Sequence, residues 1–255
     1  MLFCRGIRIA AVSAGLFACT TSPVAVASGA QPIVAMLAQP ATTVRFSSEA
    51  DAALSESDKE AIRTITAQAH ADVRRLLPQV PADMTLQVGV GGAVIPETGE
   101  GGASLQPGLV AWTLDPAHPG GAAAVIAAHL RTTLFHEFHH QARGWNMANG
   151  GGATSIMDAV VAEGMASVFA REAAGASVPW AAAPGDPEAW LADIEANGRL
   201  DQYMQWMFAH PDGRRWIGYR TGVYVVDRAI AASGRDAAAL ANTPTSEVLA
   251  LARGR

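Results

Sequence analysis

Five consecutive residues concentrate the chemistry of this sequence: His136-Glu137-Phe138-His139-His140. On a helix, His136 and His140 stand one turn apart on one face, so both imidazoles can reach a single ion at about 2.0–2.1 Å. Glu137 is rotated by about 100° from His136. From there it misses direct ligation and reaches a water on the ion, whose pKa zinc lowers to about 7, and it can take the proton as that water attacks a carbonyl. The spacing predicts zinc-assisted hydrolysis with His136 and His140 as ligands and Glu137 as general base. With seven His and eleven Glu in 255 residues, shuffling would produce H-E-x-x-H about once in a hundred chains. The context adds to that: Ile126, Leu130, Leu134 and Phe138 form an apolar stripe, with His129, Thr133, His136 and His140 on the adjacent face.

A catalytic zinc site needs a third protein ligand and an open fourth position. The metzincin order would place Gly and His three and six residues after His140, where this chain has Arg143 and Asn146, so that order is excluded. Glu163 is flanked on its helix face by Ile156, Ala159, Val160, Ala166, Ser167 and Ala170. A buried, unpaired carboxylate is costly, and a zinc ion between two helices would supply the missing charge. Glu163 is thus the expected third ligand, with Glu172 and His210 next in line. Asp158 lies about 140° from Glu163 and is not expected to bind. His139 projects about 60° off the ligand face and is expected to support the site or face solvent. His129 lies roughly 10 Å along the axis from His136, too far for the same ion but within reach of substrate. Tyr219 and His210 are candidates to donate a hydrogen bond to the tetrahedral oxyanion, and Tyr219 stands first.

The elements that must position these groups follow from periodicity and punctuation. Residues 43–46 and 84–90 read as strands, and Ser57-Asp58-Lys59-Glu60 as a capping box opening a helix toward Leu77 before Pro78. A glycine-rich stretch, 91–102, separates these from a strand at 109–114, which could be the sheet edge that pairs with an extended peptide. Helices are expected at 121–143, 155–173, 188–197 behind the cap Asp186, 215–232 and 243–252, with a mobile loop at 144–153. The fold class is α+β, mostly helical, with a small sheet preceding the site-bearing helix.

Bulk properties narrow the partners. The chain has 255 residues, half of them hydrophobic, enough for one sizeable core. A net charge of −5 without a basic stripe excludes nucleic acid as the expected partner and leaves a peptide or a small molecule, with a peptide or an unfolded protein as the expected substrate. Residues 1–27 read as a signal peptide, with Arg5 and Arg8 ahead of an apolar run and Ala25-Val26-Ala27 as cleavage site. Residues 28–42 read as a flexible linker and 43–255 as a single catalytic domain. The protein is therefore expected to be exported, periplasmic or secreted. Membrane attachment would require lipidation of Cys19 within Leu16-Phe17-Ala18-Cys19. Both cysteines, Cys4 and Cys19, fall in the leader, so a metal must be held by His, Asp or Glu.

Three blocks, LFHEFHHQAR, SIMDAVVAEGMASVFARE and GYRTGVYVV, resemble the bacterial YjaZ-type family of predicted zinc-dependent proteases, over about residues 84–252. The resemblance implies a gluzincin-like, zincin-type fold, one zinc ion per chain, peptide hydrolysis, and Glu163 at the third-ligand position. The competing expectation is a catalytically silent, zinc-containing module that binds peptides or acts as a chaperone. The intact Glu137 argues for the enzyme, because a silent module has no need of that carboxylate.

Overall fold

The computed structural model describes residues 41–255 apart from residue 93. The expected signal peptide, with Cys4 and Cys19, and most of the expected linker lie outside the described residues. The first strand, β1 (Ala41–Phe46), starts two residues inside that linker.

Behind β1 come a short helix α1 (Ser48–Ala53) and the long α2 (Glu56–Leu76). The capping box of α2 belongs to Ser55 rather than Ser57. The Ser55 hydroxyl accepts from the Asp58 backbone N–H and Asp58 returns the bond to the Ser55 N–H, both at 3.1 Å, so the helix starts earlier than its sequence suggests. Strand β2 (Asp83–Val90) follows, then β3 (Glu100–Gln106) and β4 (Leu109–Leu114).

The sheet order is β1-β2-β4-β3, with β1, β2 and β4 parallel and β3 antiparallel to β4. This corrects two expectations. Strand β4 is interior, hydrogen-bonded to β2 on one side and β3 on the other, so it cannot offer an edge to a peptide. The edge on that side is β3, which begins within the glycine-rich stretch expected to be a connection. Glycine supplies no side chain to mark a strand, and the pairing of Gly101 with Thr113 and Gly102 with Trp112 is what makes the segment extended. Alternation on β2 and β4 buries Met84, Leu86, Val88, Val110, Trp112 and Leu114 against the helices.

Residues 121–143 form helix throughout, in three pieces: α3 (Gly121–Val125), a π turn (Ile126–Leu130) and α4 (Arg131–Arg143). All four residues of the apolar stripe are buried. Gly144, at φ 70°, ends α4 in the left-handed conformation that glycine adopts without penalty. The loop beyond it is partly regular, a 3-10 turn (Met147–Gly152) capped by Asn146.

Helix α5 (Ile156–Ala174) is apolar on every side and is buried continuously from Ala159 to Ala170, as a central helix must be. It is followed by α6 (Pro187–Asn197), the single-turn α7 (Tyr203–Met207), and α8 (Ile217–Ser233). The chain ends in α9 (Ala237–Leu240) and α10 (Thr245–Ala252). Helices α5 and α8 touch backbone to backbone: a Cβ on Gly164 would fall 2.3 Å from the Gly222 carbonyl carbon. Only glycine at both positions permits that approach. The half-buried Arg143 guanidinium donates to the carbonyls of Ala241 (2.8 Å) and Thr243 (3.0 Å) and ties the end of α4 to the turn before α10.

Candidate metal centre

Helix α4 delivers His136, Glu137 and His140, and α5 delivers Glu163. The Nε2 atoms of His136 and His140 lie 3.0 Å apart, and Glu163 Oε2 lies 3.0 Å from the first and 3.2 Å from the second. His140 and Glu163 are buried and His136 is nearly so. Among the described residues Glu163 has no Lys or Arg partner. Burial opposes its ionisation, but the His140 and His136 imidazoles outweigh that and hold its carboxyl well below the usual carboxylate range. Two imidazole nitrogens and a carboxylate oxygen converging on one point make a donor set suited to a divalent cation of zinc's type.

Glu137 lies beside these three and outside their cluster. Burial pushes its carboxyl up to about 7, with the negative Glu163 and Glu100 adding to the shift and His136 opposing it. Strand β3 runs over it so closely that a Cβ on Gly102 would sit 2.9 Å from Glu137 Oε1. The height of β3 above α4 is held by Gln141. Its Nε2 donates to Ser104 Oγ (2.7 Å) and to the Gln106 carbonyl (2.9 Å), while its Oε1 accepts from the Gly108 N–H (2.8 Å).

Tyr219 stacks on His136, with centroids 6.3 Å apart and planes at 23°. Burial first, then the charge on Glu163, pushes its phenol well above the usual tyrosine value, so it stays a hydrogen-bond donor. Tyr203, not among the expected residues, donates its hydroxyl to Glu163 Oε1 at 3.3 Å, and its phenol is raised by burial and by the same carboxylate. It stands on a five-residue helix, too short to leave a periodic signal. Glu100 was not expected either. It is a buried acid whose Oε2 accepts from Trp112 Nε1 (2.7 Å) and Thr133 Oγ1 (2.9 Å).

The remaining candidates lie elsewhere. His139 is fully buried against Phe169 rather than facing solvent, neither ring nitrogen has a partner among the described residues, and burial holds it neutral. His129 belongs to the π turn and does not line the cavity beside the centre. His210 pairs with Asp212 at 2.9 Å and packs on Trp206, away from the cavity. Glu172 is exposed and accepts the Ala237 N–H at 3.4 Å, so neither it nor His210 is in reach of His136 and His140. Asp158 closes the capping box at the start of α5.

That cavity, of about 560 Å³, is bounded by β3 on one side and by the side chains of Trp180, Phe208, Trp216 and Tyr219 on the other. His136, Glu137 and Thr133 form its floor. A family model described as "Predicted Zn-dependent protease (DUF2268)" matches residues 62–250. No curated protein and no solved structure matches the chain.

Proposed function

The chain belongs to the family of predicted zinc-dependent proteases, and on that premise we propose that it is a zinc-dependent peptidase that works outside the cytoplasm on peptides or unfolded protein. The observation that carries this reading is the convergence of His136, His140 and Glu163 within one ligand sphere, with Glu137 on the same helical turn and an open cavity beside it. Three protein ligands with room for a fourth is the arrangement of a catalytic zinc site rather than a closed structural one. In this reading His136, His140 and Glu163 would hold one zinc ion per chain, and the cation would neutralise a buried carboxylate that has no Lys or Arg partner among the described residues. When bound, the ion supplies Lewis acidity and an acidified water.

The chain's own residues carry the rest. Glu137, one residue along the helix from His136 and lining the cavity, is placed to take a proton from the attacking water and pass it to the leaving amine. The protonated Tyr219 phenol, which lines the cavity, is the donor available to the oxyanion, while Tyr203 donates to Glu163. The outer strand β3, rather than β4, is where an extended substrate would add as a strand. Export follows from the reading of residues 1–27, and lipidation at Cys19 would add a membrane anchor.

The test is metal analysis of the purified protein, followed by incubation with a peptide library with and without chelator. Chelator-sensitive cleavage supports the proposal. Bound zinc without cleavage of any peptide would leave the silent binding module instead.

A further inference from the structure

The cavity beside the metal centre has two unlike walls. One is the backbone of Gly101, Gly102 and Ala103 on β3. The other is a continuous aromatic surface: Trp216 lies 4.6 Å from Trp180, 5.4 Å from Phe208 and 5.8 Å from Tyr219 between ring centroids, and Tyr219 in turn stacks on His136. Trp216 is held there at a cost. Among the described residues it is the one non-glycine residue in the left-handed region, at φ 57° and ψ 32°. A bulky side chain adopts that conformation only where its surroundings enforce it. Here the Trp216 N–H donates to the Phe208 carbonyl at 2.6 Å, across a loop closed by the bridge between Ala209 and Arg215.

The volume of about 560 Å³ falls within the range of organic-ligand pockets, about 300–1,000 Å³, and accommodates the largest amino-acid side chains. A segment lying along β3 sends alternate side chains to the same face, so one of them enters this cavity beside Glu137. Charge decides what that side chain can be. Arg215, at the cavity wall, is paired with Glu97 at 2.7 Å. The other charged groups facing the cavity are the acids Glu100 and Glu137. An acidic side chain would lose its hydration against the rings, whereas an aromatic or large aliphatic one would be buried favourably there.

Resting on the peptidase reading, we propose that this cavity is the side-chain pocket that selects a large aromatic or aliphatic residue next to the cleaved bond and rejects Asp and Glu, with Trp216 as the specificity-determining residue. The experiment separates pocket from catalysis by using the full chain carrying Glu137→Gln. Its tryptophan emission is titrated with blocked tetrapeptides that differ only in holding Phe, Leu, Ala or Asp at one position. Trp180 and Trp216 both border the cavity and report on its filling. The Phe and Leu peptides should bind roughly tenfold or more tightly than the Ala peptide, and the Asp peptide should bind least. Adding Trp216→Ala should bring Phe down to the Ala level, with Trp180 still reporting. Val178→Phe narrows the cavity from a loop while keeping the Trp216 side chain, and should exclude Phe and Leu in the same way if Trp216→Ala does not fold. Equal binding of all four peptides, or Phe binding unchanged in the folded variants, overturns the proposal. Selective binding with no hydrolysis by the unmutated protein sustains the pocket and overturns the peptidase reading. Hydrolysis without preference does the reverse.

Discussion

Gly102 of β3 lies over Glu137 of α4 with no room for a side chain: a Cβ at residue 102 would stand 2.9 Å from Glu137 Oε1 and 2.6 Å from Thr133 Cγ2. Strand β3 and the expected base are therefore set against each other by the absence of one carbon atom. Gly102→Ala should displace β3 or Glu137 by a fraction of an ångström or more. Displacement on that scale lowers activity by up to roughly a hundredfold. Zinc content should not change, because none of the three ligands is touched. Metal analysis alongside peptide hydrolysis checks both halves, and full activity would mean that the approach has no functional meaning.

Glu137→Gln should retain zinc and lose hydrolysis, since the amide keeps the shape and loses the base, a loss of roughly a hundredfold to ten-thousandfold. If zinc leaves together with activity, Glu137 helps to hold the metal.

Glu163 contributes the single anionic oxygen of the cluster, and without it two imidazoles remain. Glu163→Ala should weaken zinc affinity strongly, and Glu163→Gln less while still lowering activity. Equilibrium dialysis against a zinc buffer measures this. Parent-like affinity in Glu163→Ala would move the third ligand elsewhere.

The contact of Gly164 with Gly222 brings α8 against the residue next to Glu163. Gly222→Ala would place a methyl group 2.1 Å from the Val160 carbonyl oxygen and must push α8 off α5. Thermal unfolding should show a loss of about 1–3 kcal/mol, the usual cost of overpacking. A variant as stable as the parent would show that the helices have slack there.

Asp72 of α2 accepts from Arg131 at 2.7 Å, at the first residue of α4. That bond is the main reason its carboxyl lies below the ordinary aspartate value; burial opposes the shift and Arg75 adds to it. A carboxyl lowered by folding stabilises the fold above its unfolded pKa, and that contribution is lost as pH falls through the folded value. Asp72→Asn should thus cost up to about 1 kcal/mol at pH 7. The difference from the parent should shrink toward zero as the carboxyl is protonated in acid. Denaturant titrations at neutral and acid pH decide it, and a pH-independent difference would exclude the ion pair as the cause.

Whatever depends on spacing within one helix was legible from the residues alone. The apolar stripe Ile126, Leu130, Leu134 and Phe138 and the shared face of His136 and His140 follow from 3.6 residues per turn, whatever the rest of the chain does. The burial of Glu163 followed in the same way from the apolar residues around it. Tertiary structure decided everything that depends on which segments meet. Strand β3 exists because Gly101 and Gly102 pair with β4, and glycine carries no side chain to announce that pairing. That pairing moved the sheet edge from β4 to β3. Tyr203 and Glu100 reach the site from a single helical turn and from the end of a glycine-rich stretch, where no periodicity exists to be read. Even Glu163 meets the two histidines only through the packing of α5 on α4, which turns its carboxylate toward them. Helical periodicity is a local property of the backbone, whereas contacts between residues 27 to 100 positions apart are chosen by packing, which the spacing of any one segment does not encode.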